Sequence, residues 1–122
     1  MAMRGMRGAT TVAADTEAAI WQAAQEMVTA LLQENAVASE DIGACICSMT
    51  EDLTAAFPTA GLRQLPGFDA VPLFDARQCA VTGSLPRCLR VLLLVDTDKK
   101  QRDIRHVYLH DAVRLRPDIA QN

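Results

Sequence analysis

Residues 87–95, RCLRVLLLV, decide the fold. From Val91 onward every position in this stretch is apolar, so hydrophobic side chains lie on both faces of the segment. A strand of this kind is covered on both sides and lies inside a sheet, whereas a half-exposed strand alternates apolar and polar residues. The stretch therefore predicts the central strand of a β-sheet.

Further predicted strands precede and follow this stretch. β-branched residues and short apolar runs bounded by turn residues favour strands. Polar breaks at 81–86 and 96–103 separate the central strand from its neighbours in the sequence. By these criteria the remaining predicted strands are 3–12, 42–49, 70–74 and 105–109.

A long helix is predicted between the first two strands. Its apolar residues recur at intervals of four, three and four positions, which is helical spacing. These residues are Ile20, Ala24, Met27 and Leu31. Asp15 or Thr16 suits the N-cap. The helix is expected to run to about Glu34, with Asn35 as its C-cap.

A second, broken helix is predicted over 51–56 and 58–65. Pro58 cannot continue a helix that precedes it but suits the first turn of a new one, and Pro66-Gly67 ends that helix. The order β-α-β-α-β-β-β then predicts an α+β fold, a mixed β-sheet with helices packed mainly on one face.

Length and composition narrow the class of protein. With 122 residues, half of them hydrophobic, the chain (1–122) is expected to form one domain, with 115–122 as a flexible tail. The net charge of −3 and the 4% of aromatic residues argue against a nucleic-acid-binding protein, which needs positive charge or bases to stack on. No apolar run of about 18 residues is present, so no membrane span is expected.

The cysteines and the N-terminus indicate the compartment. No apolar run typical of a secretion signal follows the N-terminus. The four cysteines, at 45, 47, 79 and 88, lack the spacing of a zinc site. We therefore expect reduced thiols in a cytoplasmic protein that holds no metal.

Two features point to a partner and a ligand, and each has a plain alternative. The mean hydropathy of +0.07 is high for so small a domain and suggests burial between subunits, unless the monomer is merely hydrophobic. Ten of the twelve basic residues are Arg, which suits recognition of an anion, although a general bias toward Arg has the same effect.

Arg90 is the most unusual residue of the central strand because its neighbours are apolar. A buried guanidinium is costly without a partner, so it is expected to face either a structural carboxylate or an anionic ligand. Arg7 lies between Gly5 and Gly8, which permits close approach of a ligand but equally suits a surface position.

Two further candidates carry weaker signals. His106, Tyr108 and His110 alternate along a predicted strand, which places them on one face, with exposed or partnered histidines favoured over a metal pair. Asp75 is a carboxylate near a predicted strand end, where a cap or turn is its ordinary role. Neither a nucleotide-binding motif nor a nucleophile–histidine pair is visible.

Several segments together resemble one family. In this order, on a chain of this length, they form a specific set, and the resemblance covers about 3–119. The segments are RGMRGATTV (4–12), EDLTAAFP (51–58), VTGSLPRCLRV (81–91), RHVYL (105–109) and AVRLRPD (112–118). They are similar to the AroH-class chorismate mutases, the small monofunctional type.

The resemblance implies a homotrimer with a pseudo-α/β-barrel core and three active sites at subunit interfaces. It implies an isomerase that rearranges chorismate to prephenate on the route to phenylalanine and tyrosine, with no cofactor. The reaction is unimolecular, so the enzyme holds a chair-like conformer and stabilises the charge that separates as the ether bond breaks.

The resemblance also assigns roles to residues. Arg90 would donate to the ether oxygen and to the side-chain carboxylate, while Arg7 and Tyr108 would hold the pyruvyl carboxylate. Apolar walls and a basic mouth would complete the site. The walls would be Phe57, Leu73, Phe74 and Leu115, and the mouth Arg63 and Arg116.

Three positions depart from the family pattern. Gln78 stands where the family usually has Glu, and Asp75 where it often has a small neutral residue; Ala60 replaces a common Lys. We hypothesise that the carboxylate has moved, so that Asp75 contacts the ring hydroxyl and Gln78 is a neutral neighbour. The alternatives are a weakened site and a non-catalytic trimeric binding or regulatory protein; a purely structural trimer leaves the arginines without a purpose.

Overall fold

The computed structural model describes residues 2–115 of the chain. Five strands and two helices follow one another in the order β-α-β-α-β-β-β, as the sequence predicts. Short 3₁₀ turns at Ser39–Asp41, Phe68–Ala70, Gln101–Asp103 and His110–Leu115 connect or follow them. The strands are β1 (Ala2–Thr11), β2 (Ile42–Met49), β3 (Leu73–Arg77), β4 (Cys88–Thr97) and β5 (Val107–Tyr108), and the helices are α1 (Glu17–Asn35) and α2 (Pro58–Leu62).

The strands form a single mixed sheet in the order β3-β2-β4-β1-β5. Strand β4 lies in the middle and runs antiparallel to β1 and to β2, while the two outer pairs, β2–β3 and β1–β5, are parallel. The prediction that the apolar stretch forms the central strand, and with it the α+β class, is confirmed.

The two faces of the sheet differ in what covers them. Alternate residues of β4 are buried in one core with the apolar side of α1, and we call this side the helix face. The intervening residues Arg90, Leu92 and Leu94 are only half-buried on the opposite side, the open face. The core residues of β4 are Leu89, Val91, Leu93 and Val95. The open face therefore leaves apolar surface uncovered in one chain.

Helix α1 begins as predicted and ends with a different cap. The Thr16 hydroxyl accepts a hydrogen bond from the Ala19 N–H at 3.2 Å, so Thr16 is the N-cap. Ala36, with φ of 52°, takes the left-handed position at the end, where Asn35 was expected. Asn35 is instead fully buried, and its amide bonds the N–H and the carbonyl of Arg105, each at 2.8 Å. It ties α1 to the segment before β5.

The predicted helix over 51–56 is wrong. Asp15, just before α1, accepts the backbone N–H groups of Thr54 and Ala55 at 2.9 and 3.0 Å. The Asp15 carboxylate thus binds backbone N–H groups that a helix would use for its own hydrogen bonds. These backbone bonds lower the pKa of Asp15. Helix α2 starts at Pro58 as predicted but ends at Leu62 rather than at residue 65.

The bounds of two predicted strands also change. Strand β3 covers 73–77 rather than 70–74, because residues 68–70 form a 3₁₀ turn and Pro72 has no N–H for a ladder. The predicted strand 105–109 shrinks to Val107–Tyr108, since His110 adopts a left-handed φ of 53° and begins another turn. Of the predicted tail 115–122, only Leu115 is among the described residues.

The loop before β4 is tied to the end of β2. Asp52 accepts hydrogen bonds from the Thr50 hydroxyl and, at 2.9 Å, from the Arg87 N–H. These bonds, of which the one from the Thr50 hydroxyl has the larger effect, hold the pKa of Asp52 below its usual value.

Within residues 2–115, neither helix is long and apolar enough to cross a membrane.

Candidate active site

One row of residues across the sheet brings two of the predicted site residues together. Arg90 of β4 pairs with Ala9 of β1, and Ala9 pairs in turn with Tyr108 of β5. Paired residues share a face, and two strand spacings amount to roughly 10 Å between Cα atoms. Because Ala9 between them is small, the guanidinium and the phenol border the same space.

Three polar side-chain atoms in residues 2–115 are buried without a hydrogen-bond partner, and all three belong to predicted site residues. They are Nε of Arg90, the hydroxyl of Tyr108 and Oε1 of Gln78. Buried polar groups in native proteins are nearly always paired, so three unpartnered atoms that all belong to predicted site residues are unusual. The arrangement suits a polar ligand that would supply the missing partners.

Within residues 2–115, Arg90 has no structural carboxylate to neutralise it. Among residues 2–115 no Asp or Glu forms an ion pair with its guanidinium, so the alternative of a structural ion pair is wrong for this part of the chain. Burial raises the pKa of the neighbouring Cys88 thiol, and a hydrogen bond from Arg90 opposes that rise. The guanidinium thus keeps its charge available for an anionic ligand.

Arg7 and Leu115 extend the same site. Arg7 lies two residues before Ala9, so its side chain projects on the open face, and it is exposed. The Arg7 N–H donates to Nδ1 of His106 at 3.0 Å, which joins β1 to the segment before β5. Leu115 packs against a small cluster of Ala9, Tyr108 and Ala112.

The expectation that His106, Tyr108 and His110 share a face is wrong for His110. The backbone turns at that residue, and its Nε2 lies 2.9 Å from Oε1 of Glu26 on α1. His106 accepts a backbone hydrogen bond, as just described. Both histidines are partnered in the structure.

Asp75 points away from the Arg90 side of its own chain. It pairs with the buried Cys47 on the helix face. Its Oδ1 accepts the Thr59 N–H at 3.3 Å and its Oδ2 accepts the Thr59 hydroxyl at 2.5 Å. A hydrogen bond with Cys45, then burial, and to a smaller extent the charge of Asp75 raise the pKa of the Cys47 thiol.

Asp75 and Gln78 of one chain thus lie toward opposite faces of the sheet, and the hypothesis that the carboxylate has moved stays a prediction. Successive residues of a strand point to opposite faces, so two residues that are three apart cannot share one. Ala76 pairs with Ser48 in the row of Arg90, which places Gln78, two residues on, at the open face. Gln78 is held there by its N–H, which donates to the Met49 carbonyl at 2.9 Å.

The remaining predicted residues lie around β3 and α2. Phe57, just before α2, is 69% exposed, and Phe74 of β3 is 65% exposed on the open face. Arg63 is exposed at the end of α2. Leu73 is different, because it packs against the main core and forms no wall on the open face. Arg116 lies outside the described residues.

The predicted residues thus fall into two groups at different places in one chain. We call Arg7, Gln78, Arg90, Tyr108 and Leu115 the Arg90 group, and Phe57, Arg63, Phe74 and Asp75 the Asp75 group. The first group contains the unpartnered buried atoms. The second lies at the β3 edge of the sheet and on α2, with both phenylalanines exposed.

Cavities and unpredicted residues complete the geometry. A cavity of about 310 Å³ includes Gln78 and Leu85 in its wall. A larger cavity of about 620 Å³, between α1 and the turn at 110–115, contains no predicted site residue, so size does not identify the site. No pattern in the sequence points to Thr59, because the second position of a helix that starts at Pro58 is not an ordinary cap position.

Comparisons with known proteins agree with the resemblance seen in the sequence. A family model for chorismate mutase type I matches residues 3–119. The chain is 52% identical over 118 residues to "Chorismate mutase AroH" of Thermus thermophilus, covering 96% of each chain. It is 43% identical over 120 residues to "Chorismate mutase AroH" of Bacillus subtilis, covering 98% of this chain and 94% of the relative.

A solved structure has the same fold. The chorismate mutase from Clostridium thermocellum superimposes with a TM-score of 0.86 at 38% sequence identity. The match covers 88% of this chain and 96% of that one.

Proposed function

This chain belongs to the chorismate mutase type I family and is an isomerase that converts chorismate to prephenate, and we propose that it does so on the open face around Arg90. Prephenate leads to phenylalanine and tyrosine, so the enzyme serves aromatic amino-acid biosynthesis. The observation that carries the assignment of the site is the set of three unpartnered buried atoms on Arg90, Tyr108 and Gln78.

The chemistry of the substrate fits those three atoms. Chorismate is a dianion with a ring hydroxyl, and its ether oxygen gains negative charge as the C–O bond breaks. A fixed guanidinium, placed before the reaction begins, stabilises that charge without reorganisation. Arg90 donates to the ether oxygen and a carboxylate, Tyr108 and Arg7 hold the pyruvyl carboxylate, and the amide of Gln78 bonds the ring hydroxyl.

We further propose that each site is shared between two subunits of a homotrimer. The open face of one chain leaves apolar side chains uncovered, with Phe74 at 65% and Met3 at 68% exposure, beside the half-buried Ile46 and Leu92. Within a chain the Asp75 group lies apart from the Arg90 group. A second subunit seated on the open face buries this surface and brings its Asp75 group to the first subunit's Arg90 group.

The shared site also supplies the walls and the mouth that one chain lacks. Phe57 and Phe74 of one subunit would cover the ring of a substrate held by Arg90 of the other. Arg63, exposed at the end of α2, would add positive charge at the entrance and attract the dianion. We place the enzyme in the cytoplasm, where its four free cysteines stay reduced.

Purified protein tests both parts of the proposal. Loss of the ultraviolet absorbance of chorismate measures the reaction, and light scattering measures the mass in the same preparation. We expect turnover from a species of about three times 13.2 kDa. A monomer that converts chorismate at full rate would contradict the shared site, and a trimer that only binds chorismate would contradict the catalytic assignment.

A further inference from the structure

We infer that Thr59 is a positioning residue for the reaction: it fixes the Asp75 carboxylate in the orientation from which that carboxylate contacts substrate in the neighbouring subunit's site. The inference rests on the shared site proposed above. It concerns a residue that touches Asp75 and not the substrate.

The contact between the two residues is two-point. The Thr59 hydroxyl donates to Oδ2 of Asp75 at 2.5 Å, and the Thr59 N–H approaches Oδ1 at 3.3 Å. Thr59 is 4% exposed, so its hydroxyl is shielded from water and has a fixed partner. With one donor on each oxygen, the carboxylate plane cannot rotate freely about its bond to Cβ.

The bound carboxylate still has capacity for a ligand. An ionised carboxylate offers about four lone-pair positions, and Thr59 occupies two of them. Asp75 is half-buried, with the exposed Phe74 beside it in β3 and the exposed Phe57 two residues before Thr59. Asp75 lies on the edge strand β3, and the proposed interface brings that edge to the Arg90 group of the neighbouring subunit, so the free lone pairs would face the substrate held there.

The charge of Asp75 has a task there that Gln78 cannot perform. Gln78 is neutral and can only share a hydrogen bond with the ring hydroxyl. Carbon atoms of the ring become positive as the ether oxygen becomes negative, and a fixed negative charge on their side stabilises that separation. A carboxylate held by Thr59 supplies the charge in a defined place, and misplacement by a fraction of an ångström weakens it.

The same chain contains a matched control. Asp15 binds Thr54 through the same pair of bonds, from its N–H at 2.9 Å and from its hydroxyl at 3.0 Å. Thr54 lies in the turn between β2 and α2 and Asp15 lies just before α1, and both are outside the two groups of site residues. A threonine-to-valine change removes the hydroxyl and keeps the β-branched shape in either place.

The experiment compares Thr59→Val, Thr59→Ser, Thr54→Val, Asp75→Asn and the double variant Thr59→Val/Asp75→Asn in the intact trimer. Steady-state chorismate loss gives kcat and KM, and thermal unfolding checks each fold. We expect Thr59→Val to lower kcat by about tenfold or more, as for loss of a hydrogen bond to a charged group. KM should change by less than about threefold, because the bond acts in the transition state.

Rescue and coupling separate positioning from simple stability. Thr59→Ser keeps the hydroxyl and should keep kcat within about threefold of wild type, and Thr54→Val should leave kcat and KM unchanged. The double variant should be no slower than Asp75→Asn alone, because Thr59 acts through that carboxylate.

Three results would overturn the inference. One is wild-type kcat in Thr59→Val, whether or not its melting temperature falls. Another is a kcat loss in the double variant that equals the product of the two single losses. The third is an equal loss in Thr54→Val. In each case the turnover and the trimer mass of the wild-type protein are measured separately, so a failure of this inference can be distinguished from a failure of the proposed function.

Discussion

Replacing Arg90 with Ala should abolish most catalysis while leaving the fold nearly intact. The residue sits in the central strand, where loss of a structural ion pair would be expected to unfold the protein. The structure shows instead a guanidinium with no ion pair among residues 2–115 and with Nε unpartnered. Arg90→Ala should therefore lower the turnover rate far more than it lowers the free energy of unfolding.

The two magnitudes follow from those contacts. Breaking a buried ion pair destabilises a fold by about 3–5 kcal/mol, and Arg90 has no such pair to lose. The substitution removes only its alkyl chain and its bond to the Cys88 thiol, so we expect a loss of about 1 kcal/mol. Removal of one preorganised donor to a developing oxyanion lowers kcat by about 10²–10³-fold, or roughly 3–4 kcal/mol of transition-state stabilisation.

The assay is steady-state chorismate loss at neutral pH, together with urea unfolding of the same preparations. Arg90→Lys serves as the second variant: it keeps the charge but cannot span two acceptors in a fixed fork, so it should also be slow. Near-normal kcat in a folded Arg90→Ala trimer would refute the role of the guanidinium. A destabilisation above about 3 kcal/mol would show that Arg90 has a structural partner.

Three other predictions concern the fold and the site. The hydrogen bond from the Thr50 hydroxyl keeps the pKa of Asp52 in the folded protein below the usual 3.8. The bond therefore stabilises the fold above that pH, and this stability is lost as the pH falls through the lower pKa of the folded state. The melting temperatures of wild type and Asp52→Asn should accordingly converge as the pH drops from 7 toward 3. Gly61→Ala should lower the free energy of unfolding in urea by about 1–3 kcal/mol, because the new Cβ would lie 2.8 Å from Trp21. Gln78→Ala should lower kcat by only about 2- to 10-fold, as for a neutral hydrogen bond; a loss as large as that of Arg90→Ala would make Gln78 the main contact.

The sequence predicted the elements whose pattern is local. The apolar stretch in β4 and the stripe of α1 each contain enough regularly spaced residues to define their structure. The predicted helix over 51–56 is wrong because backbone N–H groups of this segment bind Asp15. Asp15 lies about 40 positions earlier in the sequence, and no local pattern connects it to the segment. Tertiary contacts of this kind override weak helical preference.

Three of the predicted site residues share a structural feature that the sequence does not show. Arg90, Tyr108 and Gln78 were singled out, and the structure shows that each has an unpartnered buried atom. The bounds of β3 account for the difference in geometry: a strand over 70–74 leaves both Asp75 and Gln78 outside it and assigns neither of them to a face of the sheet. A strand over 73–77 fixes Asp75 on the opposite face.

The direct test of the shared site is complementation between two inactive variants. Arg90→Ala and Asp75→Asn subunits are unfolded together in equal amounts and refolded as mixed trimers. In a cyclic trimer, about one quarter of the interfaces would then join an intact Arg90 from one subunit to an intact Asp75 from its neighbour. The mixture should therefore recover about one quarter of wild-type turnover. If both residues served a site within one chain, no site in the mixture would be intact, and turnover no higher than that of the separate variants would contradict the account.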